Sequence, residues 1–75
     1  MEIQEKIKQN LESDEVTKDK GITVEKEVKG FFRKTHYITL KGSVDSRETK
    51  NKANQIATHE TRDDYILKNQ LKVVS

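Results

Sequence analysis

Three segments of this chain alternate apolar and polar side chains, and this period of two restricts each of them to a β-strand. The segments are residues 22–28, 36–44 and 65–74. Successive side chains of a strand point to opposite faces, so such alternation predicts a sheet with one buried face. The faces predicted to be buried carry Ile22, Val24, Lys26 and Val28 in the first segment, Ile38, Leu40, Gly42 and Val44 in the second, and Tyr65, Leu67, Asn69, Leu71 and Val73 in the third.

The segment at the amino terminus repeats its apolar residues with the period of a helix. Ile3, Ile7 and Leu11 follow one another at four-residue steps. They form a single apolar stripe, which predicts an amphipathic helix over residues 2–13. The charged residues between them then face solvent.

A second helix is predicted over residues 46–60. Asp45 is the expected N-cap, because Glu48 stands three residues later in the spacing of a capping box. The apolar stripe of this helix is narrow and made largely of small residues, which allows close approach to a sheet. Its members are Ala53, Ile56 and Ala57, extended at four-residue steps by Thr49 and Glu60.

These elements follow the order αββαβ and predict an α+β sandwich. The first two strands form an antiparallel hairpin, and the strand–helix–strand unit that follows pairs in parallel. The result is a mixed three-stranded sheet with two helices packed on one face. With 75 residues, of which 18 are Ile, Leu, Val or Phe, the chain is expected to form one small domain over residues 1–75.

Composition excludes several classes of protein. The chain has no cysteine, which excludes disulfide frameworks and Cys-ligated zinc. Its longest apolar run is three residues, at 65–67, far short of the ~18 that a membrane-spanning helix needs, so no transmembrane segment is expected. The first five residues are polar and acidic, so no uncleaved secretory leader is expected either.

The order of the strand motifs resembles the BON domain, named for bacterial osmotically inducible and nodulation proteins. In that family an opening helix precedes strands of the type I-x-V and L-x-G-x-V, a helix with small residues, and a closing V-x-N-x-L-x-V. Similar segments here are Ile22–Val24, Leu40–Val44, Ala53 with Ile56-Ala57, and Leu67–Val73. The likeness covers most of the chain, but the family usually has a short Asn-Gly-like turn where this chain has a longer basic and aromatic hairpin.

The resemblance implies a non-catalytic module of the bacterial cell envelope or periplasm. Members of the family are proposed to bind phospholipid or other envelope components, and some are joined to pores, secretins or peptidoglycan-binding domains. The partners implied for this chain are therefore an anionic phospholipid or an envelope protein. No cofactor is implied.

Catalytic and metal-binding motifs are not found. The sequence lacks G-x-S-x-G, Walker and G-x-G-x-x-G patterns, and we do not expect an enzyme. His59, Glu60, Asp63 and Asp64 carry groups that ligate metals. A solvated helix end followed by a polar turn is the favoured interpretation of that cluster, and no metal site is expected.

The connection between the first two strands is the main functional candidate. Its Phe31 and Phe32 are the only phenylalanines of the chain. Rings beside cations suit a membrane interface, where aromatic groups enter the headgroup boundary and bases meet anionic lipid. The equally weighted alternative is that one ring folds under the sheet. The predicted membrane- or partner-binding residues are Lys29, Phe31, Phe32, Arg33, Lys34 and His36.

Two other functions remain open from the sequence. An exposed sheet edge or the same hairpin can pair with another copy of the chain or with a host protein, as in an oligomerisation module. The hairpin can also stack on bases of single-stranded nucleic acid. A net charge of only +2 and the lack of RNP-like aromatic strands place nucleic acid last.

Overall fold

The computed structural model describes residues 2–74, and Met1 and Ser75, the ends of the predicted domain, lie outside the described residues. Two helices and three strands follow one another in the predicted order. They are α1 (Ile3–Ser13), β1 (Thr23–Lys29), β2 (Thr35–Val44), α2 (Arg47–Thr61) and β3 (Ile66–Val73).

The sheet has the order β1-β2-β3, with β1 antiparallel and β3 parallel to the central strand β2. Val24 faces Leu40 across the hairpin, and Leu40 faces Asn69 on its other side. The α+β class and the mixed sheet are confirmed. The short connection between β1 and β2 makes that pair antiparallel, and the helical crossover between β2 and β3 makes that pair parallel.

Both helices pack on the same face of the sheet and share one core with it. The side chains of Ile7 and Leu11 on α1 and of Ala53 and Ala57 on α2 are buried. They meet the predicted inner face of the sheet, of which Ile38, Leu40, Val44 and Leu71 are buried. The core therefore forms one layer between the helices and the sheet, and within residues 2–74 no helix packs on the opposite face of the sheet.

The predicted start of the second helix is wrong by one residue. Ser46 is the N-cap, and its hydroxyl accepts a hydrogen bond of 3.2 Å from the main-chain nitrogen of Thr49. Asp45 instead accepts a hydrogen bond of 3.0 Å from Lys20, in the turn before β1. Because the serine hydroxyl already caps the helix, the carboxylate of Asp45 is free to pair with Lys20.

The buried stripe of α2 differs from the predicted one. It consists of Thr49, Ala53, Ala57 and Thr61, at regular four-residue steps, whereas Ile56 is only partly buried. Glu60 does not extend the stripe. Its carboxylate lies between the helices, where it accepts a hydrogen bond from Asn10 at 3.0 Å and pairs with Lys6 at 3.3 Å.

Gly42 admits a close approach of main chain from the loop before β1. A Cβ on Gly42 would lie 3.1 Å from the carbonyl oxygen of Gly21, in the loop before β1. Gly42 also has a φ of 136°, which side chains disfavour. The pairing with β3 continues through this residue without a break.

The connection after α1 holds a buried hydroxyl that the periodicity did not indicate. Thr17 is 2% exposed, and its Oγ1 donates a hydrogen bond of 2.6 Å to the carbonyl of Leu11. That carbonyl lies in the last turn of α1, where the helix itself offers no donor. The bond anchors the connection to the end of the helix.

Candidate functional site

The β1–β2 hairpin is longer than the rest of the sheet. The pairs Val28–His36 and Lys29–Thr35 lie beyond Tyr37, the residue of β2 opposite the first residue of β3. Two further rows extend the hairpin by roughly 7 Å past the third strand. We call the connecting residues 30–34 the tip. The molecule measures 42 × 24 × 17 Å, in keeping with an elongated shape.

The shape of the tip depends on Gly30. A Cβ on this residue would overlap the main-chain carbonyl of Arg33, and the φ of Gly30 is 127°. Only glycine accommodates both conditions without strain. The chain therefore turns back over Gly30 and presents the two residues that follow it to solvent.

Both phenylalanines of the tip are exposed. Phe31 is 92% and Phe32 is 95% exposed, the largest exposed fractions among the apolar residues at the surface. Their ring centroids lie 5.3 Å apart with an interplanar angle of 77°, an edge-to-face pair. The alternative in which one ring folds under the sheet is thus not observed. The rings contact each other and not the core.

Cations surround this pair. Arg33 and Lys34 are exposed, and neither lies within 4 Å of a carboxylate of residues 2–74. Lys29 stands at the base of the tip as the last residue of β1, where it pairs with Glu27 at 3.4 Å. Two apolar rings and two uncompensated cations therefore share one end of the molecule.

His36 lies apart from the exposed ring pair, and its part in the predicted site stays a prediction. It lies within β2 and is half-buried, with its ring edge-on to Tyr65 at 5.7 Å between centroids. Asp64 lines the same shallow cleft. Strand alternation explains this position: His36 directly precedes Tyr37 and stands two residues before the buried Ile38, so its side chain lies on the helical side of the sheet.

The face of the sheet that the helices leave bare carries a second group of polar and aromatic residues that the sequence reasoning did not single out. We call it the open face. Tyr37 lies on its central strand, with the ammonium of Lys68 4.4 Å from the ring centroid and that of Lys29 5.9 Å away. Four residues farther along the same strand, Lys41 pairs with Glu25 at 3.0 Å. The alternation along β3 could have indicated that these residues share a face. The register that pairs β3 with β2 could not be read from the sequence.

Little else in the described chain suggests chemistry. Within residues 2–74 no three His, Cys, Asp or Glu side chains converge as a metal site would require. The pKa of Asp45 is lowered, chiefly by its hydrogen bond with Lys20 and by the charge of that lysine. Neither helix of this part of the chain is both long and apolar enough to cross a bilayer.

Comparison of the chain with protein-family models, with curated proteins and with solved structures finds no match. The resemblance to the BON domain therefore stays a prediction made from the sequence.

Proposed function

We propose that this domain is a non-catalytic binding module whose tip contacts an anionic phospholipid surface. The observation that carries the proposal is the exposure of Phe31 and Phe32, at 92% and 95%, at the end of a hairpin that extends beyond the rest of the sheet. A small domain with few large apolar residues gains stability by burying them. Two rings kept in solvent are available for a partner.

The energetics favour a membrane interface for these rings. Transfer of a phenylalanine side chain out of water is worth about 1.5–3 kcal/mol when complete. Each basic residue near an anionic surface adds about 1 kcal/mol. Because Arg33 and Lys34 adjoin the rings, insertion of the rings to the headgroup boundary brings both cations to the lipid phosphates.

Co-sedimentation with vesicles tests the proposal. The whole chain is expected to bind vesicles that contain phosphatidylglycerol in low salt, and to bind phosphatidylcholine vesicles much less. Phe31→Ala/Phe32→Ala should remove most of the binding. The matched control is Val16→Ala/Val73→Ala, which shortens two incompletely buried apolar side chains that lie away from the tip and outside the open face. Equal binding by both double variants would count against the proposal.

A second candidate is a protein-interaction module of a larger assembly, with the same ring pair in a partner's pocket or with a strand edge as the contact. One outward main-chain donor of β3 is already engaged. The Val74 nitrogen donates to the Val44 carbonyl on β2, and because main-chain N–H groups alternate sides along a strand, the Leu71 nitrogen points to the outer side. There the Asn69 side chain accepts its hydrogen bond at 3.0 Å. We therefore expect a second copy to pair with β1, the other edge strand, and sedimentation equilibrium detects such a dimer.

The proposed location is the bacterial cell envelope or periplasm. Its support is the likeness of the strand motifs to the BON domain, whose expected αββαβ order agrees with the observed one.

The nucleic-acid alternative predicts a steep salt dependence of binding to single-stranded oligonucleotides. Such binding in place of vesicle binding would favour it.

A further inference from the structure

We infer that the open face lies against the same anionic bilayer as the tip, so that the domain binds on its side and not upright on the tip alone. The inference rests on the proposed function and adds an orientation and a second contact surface to it. Its main residues, on alternate positions of the three strands, are Glu25, Tyr37, Lys41, Ile66, Lys68 and Lys72.

The open face is continuous with the tip. The tip joins β1 to β2, and the same two strands form two-thirds of the open face. Both helices contact each other and the sheet from the other side. A flat membrane can therefore touch the tip and the open face together without meeting a helix.

The charges of the open face are arranged for an anionic partner along β3. The two acids of this face, Glu25 and Glu27, both lie on β1, and each pairs with a lysine of the same face at 3.0–3.4 Å. On β3, Lys68 and Lys72 have no carboxylate of the described residues 2–74 within 4 Å. Lys68 instead lies over the ring of Tyr37. The acids are thus neutralised and the strip of β3 remains positive.

The helical side has the opposite charge at α1. Residues 2–17, which comprise α1 and part of the turn after it, carry five acids and two lysines. An anionic surface repels that side and attracts the strip on β3, and the two effects turn the domain in the same direction. The second helix, α2, carries three bases and two acids, so the two segments together keep an excess of acids. Charge complementarity therefore favours the open face over the helices.

An apolar side chain links the two contact regions. Ile66 is 50% exposed on the open face, in the row of Tyr37 and next along that face to Lys68. A β-branched residue and a tyrosine ring below a lysine are suited to the boundary between headgroups and acyl chains. The contact then extends from the rings of the tip along β3.

Charge neutralisation on the two sides tests the orientation. Lys68→Gln/Lys72→Gln should weaken binding to phosphatidylglycerol vesicles in low salt by roughly 20- to 30-fold, the ratio expected from about 1 kcal/mol for each lysine. The matched control is Lys8→Gln/Arg47→Gln, which removes two exposed charges from the helical side. That variant should bind as tightly as the unmodified chain.

A depth measurement gives an independent answer. Because the chain has no cysteine, single labels can be placed at Gln70→Cys on the open face and at Gln9→Cys on α1. Quenchers attached to the lipid headgroup and upper acyl chain should quench the label at position 70 and leave the label at position 9 unaffected. Stronger quenching at position 9, or equal quenching at both positions, would overturn the orientation.

The outcomes separate the inference from the proposed function. If Phe31→Ala/Phe32→Ala abolishes binding while Lys68→Gln/Lys72→Gln does not weaken it, the tip acts alone and the inference fails. If the unmodified chain does not bind anionic vesicles in low salt, the proposed function fails and the orientation fails with it. If the β3 variant loses affinity for single-stranded oligonucleotides in the absence of any vesicle binding, the open face binds nucleic acid and the inference is wrong.

Discussion

Gly30 and Arg33 meet across the tip: the main-chain carbonyl of Arg33 occupies the space that a Cβ on Gly30 would need. The positive φ of Gly30 adds a second reason why another residue is disfavoured there. The direction in which the two phenylalanine rings project therefore depends on a residue that carries no side chain.

Gly30→Ala should alter the tip and weaken vesicle binding. Because the Arg33 carbonyl occupies the space of the new Cβ, the turn has to rearrange, and the ring pair is displaced. We expect the free energy of unfolding to fall by about 1–3 kcal/mol from the remaining strain. Urea unfolding measures this loss, and vesicle co-sedimentation measures the loss of binding. Gly21→Ala is the control, since Gly21 also has a positive φ but has open space around its missing Cβ and lies far from the tip.

Asn69 is expected to keep the outer edge of β3 closed. Its side-chain oxygen accepts from the nitrogen of Leu71 at 3.0 Å, and its nitrogen donates to Asn54 on α2 at 3.3 Å. Asn69→Leu should cost about 1–3 kcal/mol, because it leaves an amide without its acceptor. It should also promote concentration-dependent self-association, since an unprotected edge is a template for another strand.

Sedimentation velocity at several concentrations measures this effect. Asn69→Asp serves as the control, because a carboxylate still accepts the hydrogen bond of Leu71 and should keep the chain monomeric. Self-association of Asn69→Asp to the same degree as Asn69→Leu would argue that the edge is not what the asparagine protects.

Thr17→Val should destabilise the domain by about 1–2 kcal/mol. The hydroxyl of Thr17 is the donor to the carbonyl of Leu11, and valine fills the same buried volume without that donor. Thermal or urea unfolding monitored by circular dichroism gives the value. Thr23→Val at an exposed strand position is the control and should change stability by less than about 0.5 kcal/mol. Equal effects would show that the bond to Leu11 contributes nothing.

The pairing of Asp45 with Lys20 should give a small pH dependence. The pKa of Asp45 is lowered below its ordinary value of 3.8, first by the hydrogen bond with Lys20. A carboxyl whose folded-state pKa is depressed contributes stability above its unfolded pKa and loses it as pH falls through the folded one. Unfolding of Asp45→Asn should therefore differ from that of the unmodified chain at neutral pH and converge with it in strong acid. A difference that persists below the folded pKa would contradict this origin.

The strands and helices were predictable because their periodicities differ. Alternation of Ile38, Leu40 and Val44 and the four-residue steps of Ile7 and Leu11 identify the buried faces directly. Positions where a side chain hydrogen-bonds the main chain were harder to predict from the sequence. Asp45 and Ser46 are both good caps by residue type, and the choice depends on the turn in which Lys20 lies.

The candidate site was predictable only in part. The composition of residues 29–34 identified the tip, because rings and cations within a connection can be recognised without knowing the tertiary structure. The exposure of Phe31 and Phe32 could not be predicted in this way, since a loop of this length can fold an aromatic ring inward. The open face required the register between Tyr37 and Ile66, which joins residues far apart in the chain.

A single tryptophan at the tip reports whether the tip enters the lipid. The chain has no tryptophan, so Phe32→Trp introduces one reporter at the most exposed ring. Its emission should shift to shorter wavelength when phosphatidylglycerol vesicles are added in low salt, and should shift much less with phosphatidylcholine vesicles. An emission maximum that stays at the value for water with both vesicle types would contradict insertion of the tip.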